Sequence, residues 1–228
     1  MPSMFSSFMV GFWLTRERIA RVSRFGHDYL MESGRDHLDD VWGPAYRWEH
    51  TLRVAHWAWL LAREEKADVE KCIVAALLHD VSHFASEDYR KHGVRSAEIA
   101  KDFLLEERCS AGFVEDIVYA VKSHVGEFDP KTVEAKILQD ADTLDRFGYF
   151  RILLFGEKAN LSNLKDLKEN VESFLEYLSR VEKGRFGPMW TKTGERKLKE
   201  LINLNKTIFK GVLGEIGNTE VPEAYFER

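Results

Sequence analysis

Cysteine is almost missing from this chain: Cys72 and Cys109 are the two in 228 residues. Two thiols cannot build a disulfide framework, and Cys72 lies on an apolar helical stretch, where a free thiol behaves as a small core residue. A reducing, cytoplasmic setting fits this usage. Positive charge is not in excess either. The formal net charge is −5, which argues against a nucleic-acid polymer, whose binding draws on many Lys and Arg along the phosphate backbone. A local basic pocket stays open. No run reaches the roughly 20 apolar residues of a membrane-spanning helix. The most apolar segment, residues 4–14, is shorter than that and follows no basic stretch, so it reads neither as a signal nor as a membrane anchor. An apolar arm packed on the domain or on a second subunit is the expectation there. Strand-like alternation, internal repeats and low-complexity tracts are missing too.

What is present is helical. Hydrophobic residues make up 44% and charged residues 31%, ordinary proportions for a globular protein, and the length suits one good-sized core or a core with a helical extension. The spacing predicts a first helix over 16–32, then a loop with Trp42-Gly43-Pro44, and a second helix over 47–65. Asp68 is a plausible N-cap for a third helix that runs on through His79 and Asp80. A polar loop over 86–93 leads to a fourth helix with Ser96, Ile99, Ala100, Phe103 and Leu104, and a fifth runs from near Ser110 to His124. The sixth starts near Thr132 and carries Gln139-Asp140-Ala141-Asp142-Thr143-Leu144-Asp145-Arg146. Amphipathic, charge-rich helices over 164–181 and 195–213, joined through Gly184, Gly187 and Pro188, follow as a layer that packs on the core or forms a homodimer face. The predicted fold class is all-α, a single domain with additional C-terminal helices.

Chemistry concentrates in Ala75-Ala76-Leu77-Leu78-His79-Asp80-Val81-Ser82-His83. An apolar run gains nothing from ending in three ionisable groups if its task is only to fill a core. On a helix His79 and His83 share a face, and Asp80 is turned about 100° from His79, so an ion between His79 and Asp80 takes one ligand from each. That is half of a metal site. Four histidines, His50, His79, His92 and His124, stand in separate motifs and with Asp80 and Asp142 form an ordered series. Singly, each has a plain reading as a hydrogen-bonded buried histidine. His27, His37 and His56 lack such context and read as structural or surface residues.

The ordered series resembles the HD superfamily of metal-dependent phosphohydrolases. The resemblance rests on Arg47-Trp48-Glu49-His50, on Ala76-Leu77-Leu78-His79-Asp80 and on the 139–145 segment, and covers roughly residues 46–150. It implies an HD-domain helical bundle with one divalent ion held by His50, His79, Asp80 and Asp142. Two imidazoles and two carboxylates suit Mn²⁺, Fe²⁺, Co²⁺ or Ni²⁺; Mg²⁺ prefers an all-oxygen shell but is not excluded. Four protein ligands on an octahedral ion leave two positions for substrate and for a water acidified towards hydroxide. Asp142, followed by Thr143-Leu144, matches the family's metal aspartate. Asp145 shares its face and supports a ligand from behind, whereas Asp140 reads as a solvated acid.

Around the ion, Asp80, His83, His124 and Arg53 are the catalytic candidates. His83 either donates to substrate or leaving group or is a satisfied bundle histidine. Arg47 and Arg53, one turn to either side of His50, grip phosphate oxygens or neutralise the acidic cluster, with Arg53 favoured for phosphate. Arg146 reads as the ion-pair partner of Asp142. Some superfamily members hold a second ion on two extra histidines, with the Asp of the His-Asp pair bridging, and His92 and His124 stand in those positions. Lys91-His92-Gly93 reads as a loop, which weighs towards one ion, with His124 then a general acid. The expected substrate is a small phosphorylated metabolite, a nucleotide by preference, cut at a monoester or pyrophosphate bond. A di-iron oxygenase on the same scaffold and a nucleotide-sensing regulatory module are the alternatives; an intact ligand set argues against the latter.

Overall fold

Nine α-helices and one short 3₁₀ turn, Arg35–His37, account for the regular structure of the computed structural model among its described residues, with no strand among them. Those residues are 4–38, 40, 42–85, 91–125, 129–158, 164–184 and 189–217. The helices are α1 (Met4–Ser33), α2 (Pro44–Glu65), α3 (Val69–Leu78), α4 (His92–Glu106), α5 (Ala111–Ser123), α6 (Val133–Asp145), α7 (Tyr149–Lys158), α8 (Leu164–Glu182) and α9 (Lys192–Gly217). Residues 86–90 of the expected polar loop, Gly187-Pro188, and the side chains of the apolar stretch 4–14 lie outside the description.

Local chemistry explains the boundaries. Pro44 opens α2, where its fixed φ is helical and its missing N–H is no loss. Lys66 closes it in the left-handed region (φ 58°), its N–H donating to Ala62 O. Asp68 caps α3 as expected, its carboxylate accepting from Lys71 N at 3.1 Å. Four boundaries depart from the sequence reading. α1 begins at Met4, so the apolar stretch joins the first helix. α3 stops at Leu78, leaving His79 as its C-cap and residues 80–85 in turns. α4 begins at His92, which therefore does not sit in a loop. α7 is unanticipated, because ten residues are too short for periodicity to separate a helix from an apolar tail.

The chain divides into two compact units, one of Met1–Asp145 with Trp190–Gly194 and one of Arg146–Met189 with Glu195–Arg228. In the first, α2 lies against α3 and α6, α4 against α5, and α1 against α3. Val54, Ala58 and Leu61 of α2, Val74 and Leu78 of α3, and Ile137, Leu138 and Leu144 of α6 are fully buried, each large aliphatic contributing roughly 1.5–3 kcal/mol. Gly26 permits the α1–α3 approach, since a Cβ there would stand 2.9 Å from Leu77 O. In the second unit, Phe155, Phe174 and Phe209 pack with ring centroids 4.7–5.1 Å apart, and Asn205 donates to Phe147 O at 2.9 Å.

Candidate metal centre

The first unit buries far more ionisable side chains than a core tolerates without a purpose. His50, His79, Asp80, His92, His124, Asp142 and Asp145 are all buried. α2 supplies His50, the end of α3 His79, and the turn after it Asp80; His92 starts α4, His124 follows α5, and Asp142 and Asp145 close α6. Gly93 lets α4 begin against the end of α5, because a Cβ there would run into Val125 and reach 3.4 Å from His124 Cε1.

Hydrogen bonds fix which nitrogen of each ring faces inwards. His79 Nδ1 donates to Ala76 O at 2.7 Å and His124 Nδ1 to Val121 O at 2.6 Å. A carbonyl only accepts, so both protons sit on Nδ1 and both Nε2 lone pairs point into the cluster. His50 Nδ1 donates to Asp145 Oδ2 at 2.8 Å, which turns its Nε2 the same way. His79 Nε2 then lies 3.3 Å from His50 Nε2, and His92 Nε2 3.2 Å from His124 Nε2. The inward-facing nitrogens of His50 and His79, and of His92 and His124, stand close enough to share a cation.

Asp80 joins the two pairs. Its Oδ2 lies 3.4 Å from His79 Nε2 and 3.6 Å from His50 Nε2. Its Oδ1 lies 2.9 Å from His92 Nε2 and 3.5 Å from His124 Nε2. Asp142 Oδ1 stands 3.2 Å from His50 Nε2 and completes the first set. Two triads have ligand atoms within 4.8 Å of one another: His50, His79 and Asp142, and His79, Asp80 and His124. These residues fit metal in donor type, spacing and orientation.

Titration agrees with that geometry at His79 and Asp80, while His50 holds a proton that ligation displaces. Burial works against charging His50, yet the hydrogen bonds to Asp142 and Asp145 outweigh it and raise its pKa to about 9. Burial holds His79 down to about 4. Burial would lift Asp80, but the imidazoles of His79, His124 and His92 and the Arg47 guanidinium keep it well below the usual carboxylate range. Neutral imidazole at His79 beside an ionised Asp80 is the protonation state that ligation requires.

Two arginines occupy different posts. Arg47 Nη1 donates to Asp80 Oδ2 at 2.8 Å and Nη2 lies 3.1 Å from His83 Nε2, while its buried Nε has no hydrogen-bond partner among the described residues. Because Arg only donates, His83 accepts at Nε2 and carries its proton on Nδ1; burial, then the Arg47 charge, lowers its pKa to about 4. Arg53, favoured for phosphate in the sequence, is bound to Asp145 instead, Nε to Oδ1 at 2.7 Å and Nη2 to Oδ2 at 3.3 Å. The chain Arg53–Asp145–His50 therefore orients from behind a histidine whose Nε2 faces the cluster. Asp145→Asn and Arg53→Ala are each expected to weaken metal retention by roughly 10–100-fold. For Arg53→Ala, KM for substrate stays near the wild-type value; a raised KM with full metal content would return Arg53 to the phosphate.

Asp140 is not the solvated acid expected from the sequence. It is 1% exposed and accepts from Trp190 N, Thr191 N and Thr191 Oγ1 at 2.7–2.9 Å. Burial pushes its pKa up to about 6, against those hydrogen bonds from Thr191 and Trp190. Gly194 closes on the same carboxylate, with no room for a Cβ. Asp140 thus ties residues 190–194 to α6, a pairing across 50 residues that no local pattern announces. Asp140→Ala is expected to cost roughly 1–3 kcal/mol by orphaning buried donors, visible as a lower Tm with metal content retained in the folded protein.

The other assignments fall as follows. His27 sits beside Asp28 and His37 beside Asp40, both outside the cluster, and His56 is exposed. Cys72 is buried in the core, as expected. Arg146 is exposed and begins the second unit. No helix among the described residues is long and apolar enough to cross a membrane.

Comparison with known proteins supports the family that the ordered series resembles. The HD domain model matches residues 47–146, the span that holds this centre. The chain carries an HD domain. Its sequence is 28% identical over 135 residues to a ribonuclease Y of Acidothermus cellulolyticus, covering 59% of this chain and 23% of that protein. The match spans about a quarter of the length of such relatives. A predicted HD superfamily hydrolase from an uncultured Thermotogales bacterium has a crystal structure that superposes with a TM-score of 0.59 at 28% identity, over 84% of this chain and 91% of that one. Bacillus subtilis YpgQ in complex with ADP shares the fold, with a TM-score of 0.60 at 17% identity over 91% of this chain and 99% of that one. The HD-type, all-α fold is the common ground, and in this chain it carries His and Asp groups able to hold metal.

Proposed function

We propose that this chain is a phosphohydrolase that holds two divalent ions and cuts a monoester or pyrophosphate bond of a small phosphorylated metabolite, a nucleotide in the first instance. The observation that carries the reading is the placement of Asp80, with Oδ2 turned to His50 and His79 and Oδ1 to His92 and His124. When bound, such ions supply Lewis acidity at a phosphoryl oxygen and an acidified water.

The chain's own residues prepare the rest. Nδ1 of His50, His79 and His124 is already engaged, so Nε2 is the nitrogen that each ring turns to the cluster; His50, with its raised pKa, gives up a proton on ligation. Arg47 stands at the edge of the cluster with a spare Nε donor, which a phosphate oxygen satisfies. His83 braces that guanidinium from the other side. A net charge of −5 favours a compact substrate over a polymer, and the ADP held by YpgQ supports a nucleotide.

The test is a screen of the Mn²⁺- or Fe²⁺-loaded protein for phosphate and pyrophosphate release. Nucleoside mono-, di- and triphosphates are run beside short RNA. Release from a nucleotide supports the reading. Cleavage confined to RNA, the substrate that the name ribonuclease Y implies for that relative, would move the substrate class. Oxygen uptake by the iron-loaded protein without phosphate release would replace hydrolysis with oxygenation.

A further inference from the structure

Two serines behind the cluster have no part in the chemistry described so far. Ser82 lies two residues after Asp80 and Ser96 one turn after His92, and both are fully buried at 0% exposure. Ser82 Oγ donates to the carbonyl of His92 at 2.8 Å. Ser82 N donates to Ser96 Oγ at 3.1 Å. With the Ser82 proton committed to the carbonyl, the 3.0 Å contact between the two hydroxyls has Ser96 as donor. Water does not reach the pair, so no solvent substitute exists for either hydroxyl.

We propose that Ser82 and Ser96 are positioning residues that set the second metal subsite by locking the first turn of α4 to the turn bearing Asp80. This role rests on the two-ion reading given above. His92 is the one member of the cluster brought in by α4, and its Nε2 meets Asp80 Oδ1 at 2.9 Å. Asp80 and Ser82 share one turn, while His92 and Ser96 share another. The serine pair is a direct link between those turns. His50 and Asp142 come from α2 and α6, and the serine hydrogen bonds described above reach neither of them. A one-sided effect follows: loosening the pair moves His92 relative to Asp80 and leaves His50, His79 and Asp142 in place.

Stepwise Mn²⁺ titration of the metal-free full chain, followed by calorimetry and by the EPR signal of free Mn²⁺, tests this. Wild type, Ser82→Ala and Ser96→Ala are compared. The wild type is expected to take two ions per chain. Each variant is expected to keep the first with Kd within about threefold and to bind the second roughly 10–100-fold more weakly, the scale of losing a hydrogen-bonded support behind a ligand. Ser96→Ala leaves the Ser82 hydroxyl on the His92 carbonyl, so it carries the test if Ser82→Ala does not fold. In a His92→Ala background the same serine changes should leave the remaining ion's Kd unaltered. Two ions in the wild type with an unchanged second Kd in the variants would overturn the role of the serines alone. Equal weakening of both sites would reduce them to packing and overturn it likewise. A wild type that takes one ion would overturn the two-ion reading and this role with it.

Discussion

Asp80→Ala is expected to strip the protein of metal and of hydrolytic activity together. Asp80 turns its two oxygens to separate histidine pairs, so its loss opens both halves of the centre at once. Residues that support a ligand from behind cost roughly 10–100-fold; removal of a shared ligand should exceed that, with turnover falling more than about 100-fold and no ion recovered at stoichiometric loading. The substitution also leaves the Arg47 guanidinium without its 2.8 Å partner, so helicity by circular dichroism must accompany the metal assay. Asp80→Asn separates charge from volume: an amide offers one acceptor oxygen where the carboxylate offers two, and its NH₂ repels a cation. It should hold at most one ion weakly. Full metal content and full turnover in either variant would remove Asp80 from the centre.

The parts of this site that the sequence revealed are those written as local patterns. The His79-Asp80 pair at the end of an apolar run is visible because ionisable groups there contradict a core role, and α6 is visible because its apolar residues keep helical spacing through three acids. The place of Asp145 beside the cluster is legible from the face it shares with Asp142, and its carboxylate meets His50 Nδ1. What the sequence obscured depends on contacts between distant segments. Asp140 looks solvated until residues 190–194 come to cover it, and Arg53 looks free for phosphate until Asp145 takes both its Nε and its Nη2. The end of α3 at Leu78 had a signal of another kind. Residues 79–85 mix small, charged and aromatic side chains without a continued apolar stripe, and reading His83 as one helical turn from His79 overlooked it.

On the two-ion reading proposed above, replacing His92 or His124 is expected to lower the metal count from two ions per chain to one. A histidine between Lys91 and Gly93 reads as solvated; here it is 1% exposed, in the first turn of α4, with Nε2 on Asp80 Oδ1. His124 was the candidate general acid of a one-ion mechanism. Its Nδ1 donates to Val121 O, which makes Nε2 the nitrogen that faces the cluster, with a lone pair in the neutral ring. That lone pair faces His92 Nε2 and Asp80 Oδ1 at 3.2 and 3.5 Å, the arrangement of a ligand. His92→Ala and His124→Ala should each retain the ion of His50, His79 and Asp142, and turnover should fall in step with the lost ion. Adding excess Mn²⁺ should not restore it. Metal analysis after Mn²⁺ or Fe²⁺ loading reads the outcome directly. One ion in the wild type and one in His124→Ala, with kcat alone reduced, would instead return His124 to the leaving group and make the centre mononuclear.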